Sequence, residues 1–449
     1  MIEIKEFEQI CETVFSHSSS DETELVLGGG MENLTRFGEN RITQNVSEER
    51  YELRIRVRVG QRSGVATTND FSSESLNRVT DEAIQIARAQ KDDPTLLSFH
   101  RGDRRVEDGA WHASCSELSA DQRAGWVKTA VDHAKSRGME IGGIALSRDG
   151  SIRDYGEIEP FAVANSSGLF RFGSLSESVL EVSATAGDGA GRARASFRDA
   201  GKIDALAIAR DACDRAEASQ NPETLPPGKY RVLFEAEAVR DLIFFFHYIG
   251  LNGLGVAEGR SPLAGKIGEQ IVGENITLSE DPDHPDLWGL RFDGEGVDSR
   301  KMDLIRDGRL LSYLHDRKSA SQLDSEPTGH GLPAPNSWGA FPRFPLLKGG
   351  KKNLDEMIAG VEDGVLVTRL WYTNIVDPMN MIITGMTRDG TFRIQEGKIG
   401  PAVKNFRFNQ GLLDLFSQVE ELGEEVSLGG VILPHLLVRD FTFSSGTDF

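Results

Sequence analysis

A chain of 449 residues can bury a large core and divides most readily into two or three domains. Its composition, 39% hydrophobic and 27% charged, is that of a globular protein, and no run comes near the roughly 18 to 20 apolar residues of a membrane span. A net charge of −20 argues against nucleic acid as a partner, and three scattered cysteines argue against a disulfide framework or a Cys-x-x-Cys metal site.

The opening "MIEIKEFEQI" alternates charge and has no apolar core of a secretory signal, so the expected location is the cytoplasm. A helix over "EFEQICETVFSH" leads to a short strand, "ETELVLGGG", whose glycines Gly28 to Gly30 read as a turn. They lack both the GxGxxG spacing and the P-loop lysine of a phosphate cradle. In "YELRIRVRVG", Leu53, Ile55, Val57 and Val59 alternate with Arg54, Arg56 and Arg58, which predicts a strand with one buried face and one arginine-bearing solvent face. "SESLNRVTDEAIQIARAQKDDP" follows as a helix, with Leu76, Val79, Ala83, Ile84 and Ala87 on its apolar side and Pro94 beyond its end.

The same order then recurs. "LFRFGSLSESVLEVSATAGDGAGRARASF" reads as a strand pair and "DALAIARDACDRAEASQNP" as a helix, so that Tyr51–Phe71 falls on Glu177–Phe197 at an offset of about 126 residues. Between the copies, "SADQRAGWVKTAVDHAKSRG" is a further helix.

The proline-rich segment 221–229 is the expected linker, dividing an α/β domain at 1–220 from a second domain at 230–449. After "YRVLFEAEAV", a strand entering a helix, short strands and turns dominate. "RDGRLL" and "TRDGTF" carry Asp-Gly hairpin signals. The expected class is α+β: a duplicated α/β N-terminal domain, then a β-rich, mainly antiparallel barrel or sandwich with one helix packed on it.

Catalytic motifs are sparse. No two of the nine histidines stand four apart, so HExxH is absent, and there is no GxSxG elbow. "DPDHPD" is a surface loop without the glycine pivot of a calcium site. "TGHGLPAP" places His330 in a connector that could also touch a ligand, and Asp316 or Asp324 could serve it in a hydrolase, although no spacing singles that set out. "FFFHYIGLNGLG" sets the lone His247 on an apolar helix that enters a glycine-rich loop.

From about Tyr230 the chain resembles the TldD/PmbA family, a two-subunit metalloprotease system. The likeness runs through "EGRSPLAGKIGEQIVGENITLSEDP", "FDGEGVDSRKMDLIRDGRLLSYLHDRKSA", "TGHGLPAPNSW" and "TGMTRDGTFRIQEGKIGPAVKNFRF", and more loosely through "TRFGENRITQNVSEERYELRIRVRVGQRSGVATTND". In the proteolytic branch an HExxxH helix and a later cysteine hold zinc. Counting back without gaps from Ala264–Glu269 puts Phe244, Phe245 and Ile249 at the His, Glu and His positions, and all three cysteines precede the linker. The resemblance therefore implies the TldE/PmbA-like branch, silent alone, with no metal or catalytic residue in this chain and zinc in a TldD-like partner subunit. In such a heterodimer the chain would help enclose unfolded or modified peptides, with His247, Asn252, Arg260 and His330 as possible contacts to the peptide. The alternative is a stand-alone homodimeric peptide-binding or scaffold protein without catalytic activity.

Overall fold

The computed structural model describes residues 2–150 and 160–447 and has the expected α+β architecture. The N-terminal part is one helix–three-strand–helix unit used twice. The first copy runs Ile4–His17, Glu22–Gly38, Arg41–Val59, Arg62–Thr68 and Ser73–Ala89. The second runs Ala120–Ser136, Glu140–Gly150, Phe170–Ala186, Gly189–Phe197 and Ala205–Ala218. All six strands join one eight-stranded sheet, in which Glu22–Gly38 and Glu140–Gly150 pair antiparallel and weld the copies together. The copies also share a packing device. A Cβ on Gly64 would lie 2.1 Å from the Ala83 carbonyl oxygen, and one on Gly191 would lie 2.3 Å from that of Ala212. A glycine in the third strand thus lets the closing helix lie flat on it in each copy.

Two local expectations for the N-terminal part are corrected. Gly28 to Gly30 are not a turn: the strand runs on from Glu22 to Gly38, with Gly29 at φ 114° and Gly30 at φ 156°. Neighbouring strands come so close there that a Cβ on Gly30 would sit 2.0 Å from the Asp149 carbonyl oxygen. The arginine face of Arg41–Val59 is not simply solvent-facing. Arg56 is buried, paired with Glu24 at 2.9 Å and laid over the Phe99 ring at 4.4 Å, while Arg58 bonds Glu22 at 2.6 Å. The segment after the helix Ser73–Ala89 covers that face, which the two-residue alternation alone cannot reveal.

The second sheet has thirteen strands. Its long strand Ile432–Gly446 pairs antiparallel with Gly228–Phe234, Phe406–Gly411 and Val419–Ser427. Gly228–Phe234, which begins inside the proline-rich segment, pairs parallel with Asp363–Val367. Five short α-helices accompany this sheet rather than one: Ala236–Phe246, Gly253–Ala257, Arg317–Gln322, Leu354–Ala359 and Leu412–Ser417. Asp307 and Gly308, both at positive φ, close a tight hairpin as their sequence predicts. Asp389-Gly390 does not, because the strands on either side of it take different partners. Glu396-Gly397 instead joins Thr391–Gln395 to Lys398–Ala402. Among the described residues no helix is long and apolar enough to cross a membrane.

Candidate functional site: a cavity between the two halves

The helix Ala236–Phe246 follows directly on the strand Gly228–Phe234 and divides its phenylalanine run between two surroundings. Val239, Leu242 and Phe246 recur at helical spacing on the core side, where Phe246 meets Phe416 edge-on at 5.2 Å. Phe244 and Tyr248, four residues apart on another side, lie parallel with ring centres 6.1 Å apart. Phe341 packs against both, and Trp338 packs against Tyr248 at 6.0 Å. These rings and Phe245 form one wall of a cavity of about 520 Å³. Pro160, Glu177 and Arg194 of the N-terminal sheet also line it, so the cavity belongs to neither half alone.

Beyond Phe246 the backbone widens into a π-type turn, His247–Leu251, which sets His247 into the cavity wall. The imidazole is buried. Its Nδ1 lies 2.9 Å from the Ile243 carbonyl, which can only accept, so Nδ1 carries the hydrogen. Glu280, on the three-residue strand Leu278–Glu280, is also fully buried. Its Oε2 accepts from His330 Nε2 at 3.1 Å and from the backbone N–H groups of Arg343 and Phe344 at 2.9 and 2.6 Å. Its Oε1 faces His247 Nε2 at 3.8 Å. Burial opposes the charge on Glu280, but the His330 hydrogen bond, both imidazoles and the Phe344 N–H outweigh it and hold the carboxyl below its ordinary value. Burial lowers the His247 pKa by more than Glu280 raises it.

The four suggested contact residues separate. His247 and His330 line the cavity and meet through Glu280. Asn252 does not line it. Its side chain caps Gly253–Ala257 and donates to the Trp338 carbonyl at 2.6 Å, positioning a ring of the wall. Arg260 lies outside, exposed and paired with Glu258. Nor does His330 pair with Asp316, which caps Arg317–Gln322, or with the exposed Asp324; its acid is Glu280. Glu280, Tyr248, Trp338 and Phe341 carry no sequence motif that marks them for the site. Glu280 stands in "ITLSEDP" with nothing local to single it out, whereas the Phe244/Tyr248 spacing was a readable signal.

Of the positions assigned to a zinc motif, Phe244 and Phe245 line the cavity and Ile249 is buried in the core, and none has a lone pair to offer. Cys11, Cys115 and Cys213 are buried in the N-terminal half. Burial pushes the first two thiols up to about 12 and raises the third. Among the described residues no three His, Cys, Asp or Glu side chains are arranged to hold a metal ion. The donor set does not fit the zinc that the resemblance associates with proteolysis.

Two further buried carboxylates pin loop backbone that includes the cavity-lining Gly331. Asp293 accepts from the N–H groups of Glu295, Val297 and Gly331, and Glu295 accepts from that of Arg317. Burial, and then the Asp293 charge, push Glu295 up to about 8. A carboxyl raised in the folded state favours folding fully below its ordinary value of 4.5, and that contribution is lost as pH rises toward 8. Glu295→Gln should flatten this slope. The wild-type Tm is expected to fall between pH 5 and pH 8 by roughly 5 °C more than that of the variant, measured by calorimetry.

Comparison with known proteins gives a consistent result. Residues 227–445 match the PmbA/TldA metallopeptidase C-terminal domain, and residues 30–87 match PmbA/TldA metallopeptidase domain 1, together more than half of the chain. The metalloprotease PmbA of Escherichia coli O157:H7 is 26% identical over 90% of this chain and 88% of its own length. A metalloprotease of Methanothermobacter thermautotrophicus is 31% identical over 39% of this chain, and the match spans only 38% of that relative. An uncharacterised protein of Methanocaldococcus jannaschii, 27% identical over 53% of this chain, is matched over 56% of its length. In fold, TldE from Thermococcus kodakarensis superposes with a TM-score of 0.83 at 22% identity, covering 97% of this chain and 99% of that one. A Thermotoga maritima protein described as a putative modulator of a DNA gyrase gives 0.82 at 20% identity, with the same coverage of both chains.

Proposed function

Because the chain belongs to the PmbA/TldD family, we propose that it is a TldE-like, metal-free subunit of a heterodimeric metallopeptidase, walling in an unfolded peptide that a zinc-bearing partner cleaves. One observation carries this reading: a cavity of peptide size is lined by Phe244 and Phe245 at two of the three assigned motif positions, and the third, Ile249, is a hydrocarbon in the core. Its volume of about 520 Å³ falls in the range of roughly 300 to 1,000 Å³ usual for ligand sites. Planar rings on a rigid helix offer contact area that any extended peptide can use, at little cost in side-chain entropy. Backbone at Gly294, Gly331, Gly429 and Gly430 completes the lining where no side chain stands in the way. In this reading the chain binds, orients and excludes water, and the bond-breaking groups come from the partner. A cytoplasmic location is part of the same proposal, supported by three free cysteines.

The purified chain is expected to cleave no unfolded polypeptide and to carry under a tenth of an equivalent of zinc. Co-expressed with a zinc-bearing relative from its host, it is expected to co-elute as a heterodimer with peptidase activity. Full activity from the chain alone, or about one equivalent of tightly held zinc, would overturn the proposal.

A further inference from the structure

We propose that Arg194 seats a carboxylate of the enclosed peptide, either its C-terminus or an aspartate or glutamate side chain. This rests on the peptide-holding reading and adds a chemical preference to it.

The chain as a whole carries a charge of −20. Among the described residues, however, the arginine, lysine and acidic side chains that line the cavity are Arg194, Arg240 and Arg343 against the single carboxylate of Glu177. A lining of that sign draws an anion into a protein whose outer surface repels one.

The three arginines differ in what they have left to give. Arg343 donates through Nη2 to the Leu290 carbonyl at 3.0 Å. Arg240 donates to the Leu428 carbonyl and lies 3.5 Å from Glu237. Arg194 makes no hydrogen bond among the described residues, and its ion-pair partners Glu177 and Glu181 stand 3.7 and 4.0 Å away. Both carboxylates are engaged elsewhere. Glu177 accepts from Ser196 Oγ at 2.5 Å and from Arg148 Nη1 at 3.3 Å. Glu181 accepts from Arg192 Nε and Nη2 at 2.9 and 2.8 Å. Arg194 therefore keeps a planar fork of N–H donors, on a side chain that lines the cavity and is 23% exposed, within reach of a ligand there.

A carboxylate matches that fork with two parallel, charge-assisted hydrogen bonds, which a neutral amide cannot do. Partial burial strengthens them, because the surrounding dielectric is lower than that of water. Arg240 adds charge nearby. Ser196 shares a strand face with Arg194, two residues away, and a Cβ on Gly429 would lie 2.6 Å from that of Ser196. Arg240 holds the preceding carbonyl, of Leu428, so the second guanidinium borders the same turn.

The test titrates the intact chain calorimetrically with three N-acetylated pentapeptides free of basic residues: a neutral sequence with an amidated C-terminus, the same sequence with a free C-terminus, and the amidated sequence with one glutamate. At least one carboxylate-bearing peptide is expected to bind about tenfold tighter than the neutral one. Whichever gains identifies the source of the carboxylate. In Arg194→Gln the ratio is expected to fall below about twofold. If that variant does not fold, Arg194→Lys keeps the charge without the fork, and its ratio should fall below about threefold. Equal affinity for all three peptides overturns the carboxylate seat and leaves the peptide reading standing. A full ratio retained in a folded variant overturns it too. No binding of any peptide overturns both.

Discussion

Glu280→Ala is expected to lower the free energy of unfolding by about 3 to 5 kcal/mol. The carboxylate accepts from His330 Nε2 and from the N–H groups of Arg343 and Phe344, all through one oxygen in a fully buried site. Alanine strands those three donors where water does not reach, and each stranded donor costs about 1 to 3 kcal/mol. It also frees the segment Gly331–Phe344, which carries Trp338 and Phe341 of the cavity wall, from its anchor to the strand Leu278–Glu280. Glutamine keeps the size and one acceptor, so Glu280→Gln should lose less. Urea unfolding followed by circular dichroism measures both. A loss under about 1 kcal/mol for alanine would mean that the carboxylate does not clamp this segment.

Gly30→Val is expected to leave no soluble folded protein, at a cost above roughly 4 kcal/mol. Gly30 pairs with Arg50 on one side and Gly150 on the other, at φ 156°. A Cβ there would lie 2.0 Å from the Asp149 carbonyl oxygen, and backbone in the middle of a sheet cannot retreat as a side-chain tip can. The clash falls on the seam between the two copies of the N-terminal unit, so relief would have to unpair Glu22–Gly38 from Glu140–Gly150. Soluble yield and the far-ultraviolet spectrum decide the matter. A variant that purifies normally and melts within about 2 °C of the wild type would sink the explanation of this glycine.

The legibility of the molecule tracks the range of the interactions involved. Leu53, Ile55 and Val57 announced a buried strand face because alternation needs only neighbours in sequence. Asp307-Gly308 announced a hairpin because positive φ at both turn residues is a local demand. Asp389-Gly390 carries the same local signal, yet its flanking strands pair with others, since partner choice is decided across the sheet. Arg56 looked solvent-facing until Glu24 and Phe99 were brought onto it. His247 and His330 were marked by being rare, polar and set beside apolar or glycine-rich stretches. Their link, Glu280, is 33 residues from the first and 50 from the second, and looks like any surface acid in its own segment.

Residue identity and short spacing, by themselves, determined the α+β class, the repeated N-terminal unit, and the absence after residue 230 of a thiol or of two histidines at metal-motif spacing. The cavity, the buried carboxylate between two imidazoles, and the division of the Phe244–Phe246 triplet between core and cavity wall were decided only by tertiary structure. The physical reason is that burial is a property of the assembled surfaces. A carboxylate or a phenylalanine acquires its surroundings, and with them its energy and its chemistry, only when distant strands close over it.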